Sequence, residues 1–389
     1  MLRTSLSVPV IAGLLCAAVG CGGSDSASSS SDSPQTAKPQ HIFWIMMENH
    51  STGEIIGNTA DAPYLNQLAN QGAVATNYFG VTHPSLPNYL AAISGDFQGI
   101  FDDCKAGPDV TCAPEEFVPD SGDGTAGQLL TPAEMASAPI IPHWFDSENL
   151  VDEIEGHHLT WKAYMQSMPA GFTGEYWPID SVDGQPVPRK LYAQKHNPFM
   201  YFSDIRDDPS RMQLVVPFTQ FDQDITGANV PNFVWISPDQ CHDMHGLSSA
   251  NATAASVNLP DCAAPASGLD HAVIALGDQF LSTLVPKIMA SSAWRQGSII
   301  VITWDEDDYA GYSGCCDSPT GANGVTLGGA NAPTIIVASQ GAMHSTSATA
   351  YNHYSVLATI EHLWGLGCLA NTCDAEGMTL MTALFGVSS

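Results

Sequence analysis

Between residues 40 and 367 the chain alternates short, unbroken apolar runs with stretches in which apolar residues recur every three to four positions. The runs HIFWIMM (41–47), NFVWIS (232–237), SIIVITW (298–304) and PTIIVAS (333–339) are bounded by turn-forming residues, the pattern of strands buried on both faces. Helical period appears in APYLNQLANQG (62–72), LPNYLAAIS (86–94), SENLVDEIEG (147–156), HAVIALGDQFLSTLVPKIMA (271–290) and HYSVLATIEHLWG (353–365). Strand followed by helix, repeated, predicts an α/β fold: a three-layer α/β/α sandwich around a mostly parallel central sheet, with its site at the carboxyl ends of the strands. The Pro/Gly/Asp-rich stretches near 96–145 and 165–190 read as long loops over that edge. Trp44, Trp161, Trp235 and Trp304, in or beside the apolar runs, are expected in the core.

The N-terminal pattern differs. MLRTSLSVPVIAGLLCAAVGCGG is one Arg followed by a short apolar segment ending in small residues, an export signal over 1–20. Ala18-Val19-Gly20-Cys21 resembles a lipobox, with Ala18 where a larger aliphatic residue is usual, and predicts lipid on Cys21. Residues 21–39 are a Gly/Ser-rich tether, and 40–389 form the folded domain. Export to the periplasm or cell surface, with attachment through the lipid rather than a transmembrane helix, is the resulting expectation. No later segment reads as long and apolar enough to cross a membrane.

Eight cysteines follow Cys21. In an oxidising compartment their spacing predicts disulfides 104–112, 241–262 and 368–373, with Cys315 and Cys316 either bridged to each other or exchanged with the rest. The balance of 11 Lys+Arg against 40 Asp+Glu gives a net charge of −29, which repels nucleic acid and excludes it as a partner. An anionic substrate then needs a local positive charge, and in so Lys/Arg-poor a chain a bound metal is the economical source.

Candidate chemistry sits at the strand ends. The first run leads into Glu48-Asn49-His50, and the third into Asp305-Glu306-Asp307-Asp308, four acids that repel one another unless solvent or a cation relieves them. Such oxygen ligands suit Mg²⁺, Ca²⁺ or Mn²⁺ and also accept Zn²⁺; the alternative is a solvated acidic loop. After the second run comes Asp239-Gln240-Cys241-His242-Asp243-Met244-His245, rich in groups that ligate metal or bond a phosphoryl oxygen. THPSLPNYL (82–90) places Ser85 as the cap of a helix, where unpaired N–H groups make an anion site.

IMMENHS, THPSLPNYLAAISGD, LTWKAYMQSMP, KHNPFMYF, NFVWISPDQCHDMH, VITWDED and YNHYSVLATIEHLWGL, in that order, resemble the phosphoesterase family of bacterial and fungal acid phosphatases and phospholipases C, within the alkaline-phosphatase-like superfamily. The resemblance covers residues 40–367. It implies metal-assisted attack of an enzyme hydroxyl on a phosphate ester, then release of phosphate by water. Glu48, Asn49, Asp305 and Glu306 would be the metal ligands, although the family often has Asp at the position of Glu306. Ser85 would be the nucleophile, with Thr82 its competitor. His196 and His245 would serve the phosphate pocket, joined by His242, Asp243 and His353, and Asn88 would bond a phosphoryl oxygen. A protonated His giving the leaving group its proton would produce a mildly acidic optimum. Lys195 either approaches the phosphate or covers apolar surface. The implied activity is a phosphomonoesterase on a small phosphate ester. A phospholipase C-type phosphodiesterase and a non-catalytic Ca²⁺-binding surface lipoprotein are the alternatives.

Overall fold

A computed structural model describes residues 38–115, 126–295, 297–308, 311–340, 344–374 and 377–387. The expected leader, Cys21 and the tether up to residue 37 lie outside the described residues. The described residues contain ten strands: β1 His41–Met47, β2 Ala73–Ala75, β3 Trp161–Met165, β4 Tyr176–Val182, β5 Gln185–Ala193, β6 Val215–Pro217, β7 Phe233–Ser237, β8 Ser298–Trp304, β9 Thr334–Ala338 and β10 Ser345–Ser347. Eight form one sheet in the order β10-β2-β9-β8-β1-β7-β3-β6, while β4 and β5 form a separate hairpin. The main helices are α1 Pro63–Gln71, α2 Ser85–Ser94, α3 Leu150–Gly156, α4 His271–Ala290 and α5 His353–Trp364.

Every residue of β1, β7, β8 and β9 is buried, so both faces of the sheet centre are covered, as unbroken apolar runs require. One helix group joins α1 with α4; the other joins α2 with α3 and α5. The four tryptophans are all in the core. The expected α/β architecture with a mostly parallel sheet is present.

Three differences have physical causes. Strand β9 runs antiparallel to β8 and β2, because the chain between β8 and β9 contains, among its described residues, one 3₁₀ turn at Ala322–Gly324 and no crossover helix to return it parallel. The expected loop at 165–190 holds the β4–β5 hairpin. Its turn is Asp183-Gly184, both with positive φ (51° and 75°), the Asp-Gly pairing that closes two-residue hairpins; Pro178, Pro186 and Pro188 disguise the strands, which tolerate them because the hairpin lies outside the main sheet. Helix α4 corrects the reading that no later segment is long and apolar enough to cross a membrane: its 20 residues qualify by length and composition. Here its apolar stripe, including Val273, Ile274, Leu281 and Leu284, is buried in the core, and Asp278 accepts from the Tyr64 and Leu65 N–H groups at the start of α1 (3.1 and 2.8 Å).

The three predicted disulfides are formed, and of the two alternatives for Cys315 and Cys316 the structure has the bridge to each other.

Glu361 on α5 is 4% exposed, and its Oε1 has no hydrogen-bond partner. Burial pushes its carboxyl up to about 7, against the opposing pull of Thr372. A carboxyl raised on folding favours the folded state while protonated, so that contribution is complete below about pH 4.3 and is lost as pH rises through 7. Glu361→Gln is expected to raise the melting temperature at pH 8, by the equivalent of about 2–3 kcal/mol, and to leave it unchanged at pH 4. Thermal melts of both proteins at the two pH values check this.

Candidate active site

Strands β8, β1 and β7 are adjacent and parallel, so the residues following them meet at one edge of the sheet. The ladder continues past the strands: Asp305 N–H donates to Met47 O (3.0 Å) and Glu48 N–H to Asp243 O (2.8 Å). Asn49 adopts φ 48°, a left-handed conformation that Asn tolerates better than most residues. Its N–H donates to Asp305 Oδ1 (3.1 Å).

Ser85 enters this edge as the first residue of α2, following Pro84 in extended conformation. It was expected to cap the helix, but its hydroxyl makes no capping bond. Ser85 Oγ instead donates to Glu48 Oε2 (2.9 Å), with Glu306 Oε1 at 3.4 Å, and receives Lys195 Nζ (3.3 Å). The segment leading to Ser85 presses on the strand end. A Cβ on Gly80 would lie 2.6 Å from Asp305 O and 2.9 Å from Gly329 Cα, which only glycine avoids.

Around Glu48 lies a set of buried atoms without hydrogen-bond partners: Glu48 Oε1, Asn49 Oδ1, Asp243 Oδ2, Asp305 Oδ2 and His196 Nε2. His196 stands between two carboxylates, Nε2 3.1 Å from Glu48 Oε1 and Nδ1 3.1 Å from Asp243 Oδ2, with its ring stacked on Tyr89. Buried polar atoms are nearly always satisfied. Buried carboxylate and amide oxygens gathered where three strands end, with an imidazole beside them, are of the donor chemistry that suits a divalent cation. Asp305, Glu306 and Asp307 are all buried, which removes the reading of this run as a solvated loop. Asp102, Cys104 and Cys112 also converge, but the two cysteines share a disulfide and offer no thiolate.

The model of the phosphoesterase family matches residues 58–259 and 262–367. The chain belongs to the phosphoesterase family. It is 26% identical over 314 residues to a phosphate-repressible acid phosphatase of Penicillium chrysogenum, an alignment covering 80% of this chain and 57% of the relative. It is 25% identical over 339 residues to a phosphatidylinositol-3-phosphatase of Mycobacterium tuberculosis, covering 87% and 81%. The chain thus spans little more than half the length of the fungal relatives. Among solved structures it resembles a phosphonate monoester hydrolase of Agrobacterium radiobacter, with TM-score 0.47, 14% identity and coverage of 90% of this chain and 78% of the other.

Within this phosphoesterase the other expected residues have varied places. Glu306 has Oε2 2.5 Å from His83 Nδ1 and Oε1 3.4 Å from Ser85 Oγ. Asn88 has no capacity left for a phosphoryl oxygen: its Oδ1 accepts from Val81 and Thr82 N–H, and its Nδ2 donates to Thr82 O and Pro84 O. It braces the turn before Ser85. His353 is similarly engaged, with Nε2 donating to Asp305 O (2.7 Å) and Nδ1 accepting from Tyr78 OH (2.7 Å); it positions the strand end. His242 bonds Asp239 and lies against Phe280, outside the cluster. His245 is half-buried, near His196, and lines a cleft of about 380 Å³ with Asp103, Glu115, Tyr176 and Lys195. Thr82 is fully buried and its Oγ1 has no partner, whereas Ser85 holds the contacts with Glu48 and Lys195.

Burial, followed by repulsion from neighbouring acids, pushes the carboxyls of Glu48, Asp243, Asp305 and Glu306 well above the ordinary range. Burial alone would lower Lys195, but Asp103 and Glu48 hold it above its usual value. The imidazoles behave in the opposite sense. Burial and the Lys195 charge hold His245 down to about 4 and push His196 well below its usual value, and burial brings His353 to about 4. Burial and the neighbouring ammonium thus disfavour the protonated form of His196 and His245, the expected proton donors. His83, Tyr89 and Asp103 escaped the sequence reading. His83 lies inside THPSLPN, two residues before Ser85, and its position was the available signal.

Proposed function

We propose that the protein is a metal-dependent hydrolase of phosphate monoesters, an acid phosphatase acting through Ser85. One observation carries the reading: the Ser85 hydroxyl, 2.9 Å from Glu48 and 3.3 Å from Lys195, stands at a strand edge with the buried carboxylates of Glu48, Asp243, Asp305 and Glu306. Glu48, Asn49, Asp305 and Glu306 would hold a divalent cation, with Asp243 and His196 beside them; when bound it would supply neutralisation of phosphoryl charge and a lowered hydroxyl pKa. Ser85 Oγ attacks phosphorus as its proton passes to Glu48, and the phosphorus–oxygen bond to the leaving group breaks, the alkoxide taking a proton from water. Lys195 donates to a phosphoryl oxygen and stabilises charge as the leaving group departs. Water then hydrolyses the phosphoserine. Four disulfides fit an exported protein in an oxidising compartment, with Cys21 as the proposed lipid anchor.

The acid phosphatases among the relatives support a small monoester as substrate. The phosphatidylinositol-3-phosphatase, aligned over 81% of its length, adds a monoester on a lipid headgroup. Purified protein should hydrolyse p-nitrophenyl phosphate, and vesicle-borne phosphatidylinositol 3-phosphate, at least about 100-fold faster than bis(p-nitrophenyl) phosphate. Choline phosphate released from phosphatidylcholine at a comparable rate would establish the phospholipase C alternative. No turnover of any ester, with retained Ca²⁺ binding, would establish the surface binding protein.

A further inference from the structure

Asp103 precedes the disulfide-closed loop Cys104–Cys112 and reaches the reacting end of α2. Its Oδ1 accepts from Leu86 N–H (2.9 Å), and its Oδ2 receives Lys195 Nζ (2.6 Å). The same ammonium lies 3.3 Å from Ser85 Oγ. A first-turn N–H and an ammonium are donors that a phosphoryl oxygen takes, and here one carboxylate occupies both, directly beside the proposed nucleophile.

Capping alone does not require this arrangement. At α1 the capping carboxylate, Asp278, places both oxygens on backbone N–H groups, and α5 is capped by its own Asn352. Asp103 divides its oxygens between the helix and Lys195. The backbone around it is fixed: Asp103 N–H donates to Glu115 Oε1 (3.2 Å), Asp102 pairs with His143 (2.8 Å), and Cys104 O accepts from Tyr201 OH (2.9 Å). The side chain is 19% exposed and lines the 380 Å³ cleft. The loop is held, and the carboxylate borders the open cleft.

Resting on the phosphatase reading, we infer that Asp103 is an internal anion standing in the place of a phosphoryl oxygen, so that phosphate binds by exchange and a dianion displaces it better than a monoanion. Asp103 thereby weakens retention of the phosphate product and favours monoesters, which are dianionic at neutral pH, over monoanionic diesters.

The test is calorimetric titration of inorganic phosphate into the cation-loaded protein at pH 7.5, comparing wild type with Asp103→Asn and with Asp103→Ser, a residue that still caps a helix. Circular dichroism confirms folding. Phosphate is expected to bind at least about tenfold more tightly to both variants, 1.4 kcal/mol per tenfold, and the diester-to-monoester ratio of kcat/KM is expected to rise. Unchanged or weaker phosphate binding in the folded variants overturns the inference and makes Asp103 an anchor that positions Lys195. Failure of the wild type both to bind phosphate and to cleave any ester overturns the phosphatase reading itself.

Discussion

Ser85→Ala is expected to yield a folded protein whose phosphate release from p-nitrophenyl phosphate is reduced by about 10⁴-fold or more, the scale on which removal of a nucleophile acts. Ser85 is 1% exposed, and its hydroxyl donates within the cluster rather than capping α2. The substitution removes the hydroxyl's bonds to Glu48 and from Lys195 and leaves the helix start to Asp103, so the stability cost is about 1–2 kcal/mol. The melting temperature should change little while turnover vanishes. Thr82 is the internal control. Its Oγ1 is buried without a partner, so Thr82→Val should preserve turnover within about an order of magnitude. A Ser85→Ala protein with wild-type turnover, or a Thr82→Val protein with none, would move the nucleophile to Thr82.

Removal of divalent cations by a chelator is expected to abolish turnover to a similar extent, with recovery when a cation is restored. Stability should respond as well, and differently at different pH. Without a cation the buried carboxyls of Glu48, Asp243 and Asp305 have raised pKa values, so ionising them at pH 7.5 opposes folding. As pH falls they protonate and the penalty disappears. Chelation should therefore lower the melting temperature by more than about 5 °C at pH 7.5 and by much less at pH 4.5, since a ligand that binds only the folded state stabilises it and metal binding competes with protons. Glu48→Gln removes a carboxylate from the cluster and should both reduce activity and shrink this metal-dependent difference. A chelated protein with full activity would exclude the metal-dependent mechanism.

The strand and helix pattern was legible because burial on both faces leaves a continuous apolar run and burial of one helix face leaves a 3.6-residue period; β1, β7, β8 and all five helices follow it. Short elements such as β2, β6 and β10, three residues each, carry too few side chains to establish a period. The direction of β9 also has no signature in its own residues, because direction depends on how the connecting chain returns.

Sequence by itself determined that the candidate groups Glu48-Asn49 and Asp305-Glu306 follow the first and third apolar runs, and that Ser85 stands at a helix start. Only the tertiary structure decided their partners. It brought Asp243 and His196 beside Glu48 and withheld Asn88 and His353 by satisfying both ends of their side chains. It also placed Asp103 and Lys195 at Ser85. The reason is that a side chain's identity fixes what it can donate or accept. Whether that capacity remains free for a substrate is set by neighbours far away in the chain, whose approach and exclusion of water appear only once the sheet edge is assembled.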